Sequence, residues 1–185
     1  HDLSAGWLMA TLTPSPLLVA SVQAATTLPV FLFALPAGAL ADIVDRRRLL
    51  LIVKIILTIV AIAMSLSVYL NFMNPWLLLI FTLLMGTGAA FIAPAWQAIV
   101  PQLVPRPELQ QAIALNSVGI NISRAIGPAV GGLVIAVVGL WAPFMLNAIS
   151  FIFVIGVLIW WKAGSGEARA LPAERFTGAI RAGLR

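Results

Sequence analysis

The chain has 185 residues, 62% of them hydrophobic and 9% charged, with eleven Lys/Arg against six Asp/Glu. A soluble domain runs at about 45–50% apolar and about 25% charged, so a mean hydropathy of +1.07 identifies a polytopic membrane protein instead. Without Cys, and with a single His at position 1, the chain has no disulfide framework, no thiolate nucleophile and no Cys- or His-built metal site.

The chain begins His-Asp-Leu, with neither Met nor a basic-then-apolar leader, and reads as an internal fragment. Residues 3–13 supply about half of the ~20 needed to span a bilayer. They read as the end of a first helix, or as an interfacial segment, before the outside turn Thr13-Pro14-Ser15-Pro16. Helix 2 is expected over about 17–41 and contains Pro29 and Pro36, kinks that either shape a cavity or are ordinary transmembrane prolines. Helix 3 follows over about 46–69, with Asp45 placed to cap its first N–H groups. Arg46, Arg47 and Arg48 in its first turn oppose the helix dipole by about 0.3–1 kcal/mol each when exposed. Topology or a partner for the charges must outweigh that cost. Lys54 is expected to snorkel back to the interface.

Residues 71–74 form a short external turn, and Pro75 suits the first position of helix 4, expected over about 75–100. Gly86 and Gly88 give that helix a small patch for close approach; Pro94 and Pro101 bend or end it, and Trp96 marks the inner interface. Helix 5 is expected over about 109–138 and helix 6 over about 143–161, the latter closing on Trp160-Trp161-Lys162. Successive turns alternate between charge-poor and basic. By the positive-inside rule the loops at 42–48, 101–108 and 163–185 are cytoplasmic. Residues 1–162 are thus a transmembrane bundle, and 163–185 begin a cytoplasmic loop. In that loop Phe176, Ile180 and Leu184 recur beside Arg175, Arg181 and Arg185, as in a basic membrane-lying helix or a solvated linker. Topology accounts for the basic residues, so no nucleic-acid partner is implied.

Helix 5 carries two stripes. Gly119, Ser123, Gly127 and Gly131 recur every four residues, a ridge that a neighbouring helix could approach closely. Ser117, Asn121, Arg124 and Pro128 form the other. Arg124 falls near mid-span, where an Arg costs about 2.5–3.5 kcal/mol on insertion scales. No Asp or Glu is expected within any span, Asp42 being at a helix end. Arg124 therefore faces a water-filled cavity, a carboxylate elsewhere, a free carbonyl or an anionic ligand, as a substrate or gating contact or as a structural hydrogen bond. Asn121 and Asn116 join it as candidate cavity residues, and Asn147 is a weaker one.

Between helices 2 and 3 stands Gly38-Ala39-Leu40-Ala41-Asp42-Ile43-Val44-Asp45-Arg46-Arg47-Arg48. A Gly, a Leu two on, an Asp two further and a basic cluster beyond resemble the helix 2–3 loop of the major facilitator superfamily. With Leu35-Pro36-Ala37 before it, the stretch looks most like the branch that includes the enterobactin exporter and drug and macrolide exporters. Asp45 stands where the superfamily often has Gly, and Ile43 where it often has a basic residue, which narrows the branch. Gly127-Pro128-Ala129-Val130-Gly131-Gly132 resembles the GP-x-x-GG end of the superfamily's antiporter motif, with Ser123 where a Gly is usual. Many drug and proton antiporters carry Arg and Gln in helix 4 where this chain has Thr82 and Met85.

The resemblance implies an all-α membrane protein. The chain would be the N-terminal six-helix half of a twelve-helix fold with helix 1 truncated, its partner half missing. It implies a secondary-active exporter of siderophore-like or amphipathic drug-like small molecules in a bacterial inner membrane, working by alternating access and coupled to protons. No cofactor is implied. In the superfamily the loop's Asp latches the halves against a helix N-terminus of the second half, which makes Asp42 the latch acid here, with Arg46 and Arg47 its basic partners. The alternative is a non-transporting membrane scaffold or assembly factor. A membrane enzyme is disfavoured by the lack of Cys, of paired acids and of any His beyond position 1; Gly164-Ser165-Gly166 lies outside the last span.

Overall fold

The computed structural model describes residues 2–161; the calls on Lys162 and on the loop at 163–185 lie outside the described residues. Six α-helices fill that span: α1 (Asp2–Leu12), α2 (Pro16–Ile43), α3 (Arg46–Tyr69), α4 (Pro75–Leu103), α5 (Leu109–Val138) and α6 (Ala142–Trp160). A 3₁₀ turn, Arg106–Glu108, leads into α5. Five of the helices are long and apolar enough to cross a membrane.

Each break has a local cause. The Asp45 carboxylate accepts from the Arg48 N–H at 2.9 Å and starts α3. Asn74 Oδ1 accepts from the Leu77 N–H at 2.9 Å, with Pro75 as the first residue of α4. Gly139 ends α5 at φ +118°, a conformation that L side chains rarely adopt. Pro94 and Pro101 do not end α4, which runs on to Leu103. Membrane helices tolerate such prolines where neighbours re-satisfy the backbone.

Two helix pairs run side by side, α2 with α4 and α3 with α6. The first pair turns on Pro29, which is almost fully buried. Pro29 has no N–H, so the Ala25 carbonyl four residues before it lacks its helical donor. That carbonyl and the Thr26 carbonyl face Gly86. A Cβ placed on Gly86 would meet Thr26 O at 2.7 Å and Ala25 O at 2.9 Å. Main chain of α2 thus meets α4 where α4 has no side chain, the close approach that association inside a membrane depends on.

The second pair is pinned at several heights. Near one end Ser65 Oγ, fully buried, donates to the Trp141 carbonyl at 3.0 Å, and the Tyr69 and Trp141 rings meet edge to face at 5.6 Å. At the other end Arg47 reaches the last turn of α6.

Apolar cores stack along the bundle. One joins Leu8, Met9, Met64, Leu78 and Phe144 from α1, α3, α4 and α6. Another, at the α2–α3 junction, joins Ala41, Leu50, Ile99 and Leu158. Helix α5 lies outside both, with no buried residue.

Candidate functional site: the arginine junction and the open face of α5

The last four carbonyls of a helix have no donor in their own helix, and inside a bilayer each orphan costs several kcal/mol. The arginines at the start of α3 answer this at α2 and α6, and reach α4 as well. Arg46 Nε donates to the Ala41 carbonyl in the last turn of α2 at 3.3 Å, and its Nη1 to the Ala98 carbonyl of α4 at 3.2 Å. Arg47 Nε and Nη2 donate to the Leu158 and Ile159 carbonyls of α6 at 2.7 and 2.8 Å. A guanidinium carries five donors in a fixed fork and suits such double contacts. It also brings positive charge to the negative ends of α2 and α6. The partner that offsets the unfavourable dipole position is therefore main-chain carbonyl. Arg48 stays exposed and contributes its backbone N–H to the Asp45 cap.

Around these arginines, Gly38 and Leu40 are half-buried and Asp42 lies in the last turn of α2. Leu40 packs at the edge of the junction core. A Cβ on Gly38 would meet nothing within 4 Å, so no close contact in the described structure requires glycine there.

The candidate residues of α5 divide. Arg124, Asn116, Gly119 and Ser123 line one open groove of about 490 Å³ together with Ile120. Asn116 Oδ1 accepts from Trp96 Nε1 at 3.4 Å, tying the groove to α4. Asn121 is exposed and lies off the groove, so it is separated from the two residues it was grouped with. Ser117 turns its hydroxyl back onto the Ile113 carbonyl at 2.9 Å. The expected close crossing at the Gly119–Gly131 ridge does not form among the described residues. A Cβ on Gly119, Gly127 or Gly132 would meet nothing within 4 Å, and on Gly131 only Leu3 Cδ2 at 3.9 Å. Pro128 is likewise exposed. The tight crossing of this bundle is at Gly86 instead.

Two charged residues that sequence reasoning set aside line a partly open pocket. Lys54 does not snorkel to an interface: its ammonium lies 4.1 Å from the centre of the Phe151 ring. It shares a cavity of about 360 Å³ with Asp2, Thr26, Thr82, Asn147 and others. Asp2 opens α1 (Asp2–Leu12), a helix shorter than the five that are long enough to cross a membrane. Depth was the signal for Lys54: eight residues past Arg46 places it about 12 Å into the span.

Among the described residues, an all-helical bundle with five helices long and apolar enough to cross a membrane, and a basic knot on helix C-termini, marks a multi-pass membrane protein. The family model described as transmembrane secretion effector matches residues 1–185. The chain belongs to that family, within the major facilitator superfamily, whose members here are transporters and not enzymes. The staphyloferrin A transporter of Staphylococcus aureus is 29% identical over 155 residues, 83% of this chain and 39% of its own. Macrolide efflux protein A of Enterococcus faecalis is 32% identical over 149 residues, 77% of this chain and 42% of its own. The multidrug efflux pump Tap of Mycolicibacterium fortuitum is 28% identical over 188 residues, 97% of this chain and 46% of its own. The chain thus spans less than half the length of these relatives. No solved structure matches it.

Proposed function

We propose that this chain forms one half of a secondary-active exporter that moves siderophore-like or amphipathic drug-like small molecules by alternating access in a bacterial cell membrane. Coupling to a proton gradient follows from the resemblance. The observation that carries the reading is the open face of α5. Arg124 stands exposed near the middle of a spanning helix, in a groove with Asn116 and Ser123. A charge at that depth is too costly to face lipid, so this face looks onto protein or a water-filled path. A second six-helix half across α5 supplies both, and the length of the relatives leaves room for one.

In this reading Gly38, Leu40, Asp42, Arg46 and Arg47 are the cytoplasmic latch, with Asp42 facing a helix N-terminus of the second half. Gly127, Pro128, Gly131 and Gly132 are the surface along which the halves slide. Arg124 and Asn116 border the substrate path, and Asn121 is exposed on the same helix outside their groove. The loops at 42–48, 101–108 and 163–185 are cytoplasmic.

The test is substrate export by the full-length protein carrying Arg124→Ala. Insertion should be unchanged or improved, because the charge that burdens it is gone, while export falls. Undiminished export would remove Arg124 from the path.

A further inference from the structure

The open groove on α5 is lined by Asn116, Gly119, Ile120, Ser123 and Arg124. Steps of three, four, seven and eight residues put all five on one face of the helix. Arg124 stands eight positions after Asn116, about 12 Å along the axis. Long side chains on a helix lean back towards its N-terminus. The guanidinium is thereby turned towards Asn116, across Gly119. A Cβ on Gly119 would meet nothing within 4 Å, so the floor between them is open.

The polar groups along this groove can all donate. An indole N–H is a donor only, so the Trp96 contact at 3.4 Å takes the Asn116 oxygen and leaves the amide NH2 to the groove. A guanidinium has five donors and no acceptor. Ser123 adds a hydroxyl. Among the described residues Arg124 makes no hydrogen bond or ion pair, and no acid lines the groove. The pocket at Lys54 holds charge of both signs; the α5 groove holds one sign alone. A guanidinium near mid-span with its donors unfilled is costly. A negatively charged oxygen group offsets the charge and fills the donors together, and a carboxylate matches the planar fork.

We propose that this groove seats an anionic oxygen group of the transported molecule, a carboxylate in the simplest case. Arg124 holds it, the Asn116 NH2 gives a further donor, and Ile120 lies against the apolar part beside it. Trp96 is a positioning residue: by occupying the Asn116 oxygen it turns the donor side of the amide to the groove. The inference rests on the transporter reading and names the substrate class for it.

Rhodamine 110 and rhodamine 123 test it, because they differ only in that the second has its carboxylate closed as a methyl ester. Dye binding to the purified full-length protein in detergent is read by fluorescence polarisation. The native protein should bind the free acid at least about tenfold more tightly than the ester, the order of one charge-assisted hydrogen bond. Arg124→Gln should bring that ratio to about one while ester binding persists, and Arg124→Lys should keep a preference for the acid. No preference in the native protein overturns the proposal, and is the result expected if a carboxylate of the second half already fills the guanidinium. A preference that survives Arg124→Gln overturns it too. Should Arg124→Gln fail to fold, Asn116→Asp decides. It sets a carboxylate beside Arg124 in place of the NH2 and should cancel the preference; an unchanged ratio overturns the proposal. Trp96→Phe removes the indole N–H and should lower the ratio about two- to threefold, the low end for one neutral hydrogen bond. An unchanged ratio there overturns the positioning role of Trp96. The transporter reading fails separately. Dye bound with an Arg124-dependent ratio but never moved into energised inside-out proteoliposomes would sink export and leave the oxyanion site standing. Movement of acid and ester alike, in the native protein and in Arg124→Gln, would do the reverse.

Discussion

Arg47 closes the last turn of α6: its Nε lies 2.7 Å from the Leu158 carbonyl, 111 positions further along the chain. A second bond to Ile159 makes the contact a fork. Arg47→Ala should therefore lower stability by about 1.5–3 kcal/mol, the usual worth of hydrogen bonds to a charged group. Arg47→Lys should recover only part, since an ammonium lacks the planar fork. Arg48→Ala is the control, because that side chain is exposed and its cap contact is through the backbone. Thermal melts in detergent check this; equal melting of Arg47→Ala and Arg48→Ala would contradict it.

Gly86 and Gly127 should respond in opposite ways. Gly86→Ala drives a methyl against the Thr26 and Ala25 carbonyls, main-chain atoms that cannot swing aside. The cost should be about 1–3 kcal/mol, as for other overpacked positions, seen as reduced yield and an earlier melt. Gly127→Leu meets nothing within 4 Å in this chain. It should leave the melt of these six helices unchanged while impairing export by the full-length protein. A melt lowered equally by both variants would place α5 inside this bundle.

Asp42 separates a latch from a topology signal. If it faces a helix N-terminus in a second half, Asp42→Asn removes about 1 kcal/mol from the inside-closed state. The full-length protein should then insert normally, export poorly and expose cavity positions near Arg124 to cytoplasmic reagents. Acids contribute little to the positive-inside rule, so unchanged accessibility and export would leave the stretch a topology signal alone.

Orientation is open to single-cysteine labelling in intact cells, because the chain has no Cys of its own. A Cys at Arg106 should resist external maleimide and one at Asn71 should react. The opposite pattern would invert the bundle.

Reading the sequence reached the all-α membrane bundle through hydropathy, and the starts of α3 and α4 through Asp45 and Pro75, because those signals are local. What it could not reach were pairings across the chain. Arg46 and Arg47 stood out as misplaced charges, yet their acceptors are carbonyls of α2, α4 and α6, and every residue has a carbonyl. Small-residue spacing marked α4 and α5 alike; in the structure α2 main chain meets Gly86 while the α5 ridge stays uncovered among the described residues. Lys54 was misplaced for a different reason. Interface and interior positions differ by a turn or two, and the cavity that receives it is assembled from five helices.

The reach from Arg47 to Leu158 also has a consequence in time. A ribosome adds about 5–20 residues per second, so the 111 residues between them take on the order of ten seconds to appear. Through that interval the arginines have emerged and the end of α6 does not yet exist. Arg47 is first a cation without its α6 carbonyls, held back at the membrane face, the state in which it can orient the nascent helices. When α6 arrives, the same guanidinium becomes its anchor. One short stretch thus serves successively as address and as fastening, and a variant can lose the second use while keeping the first.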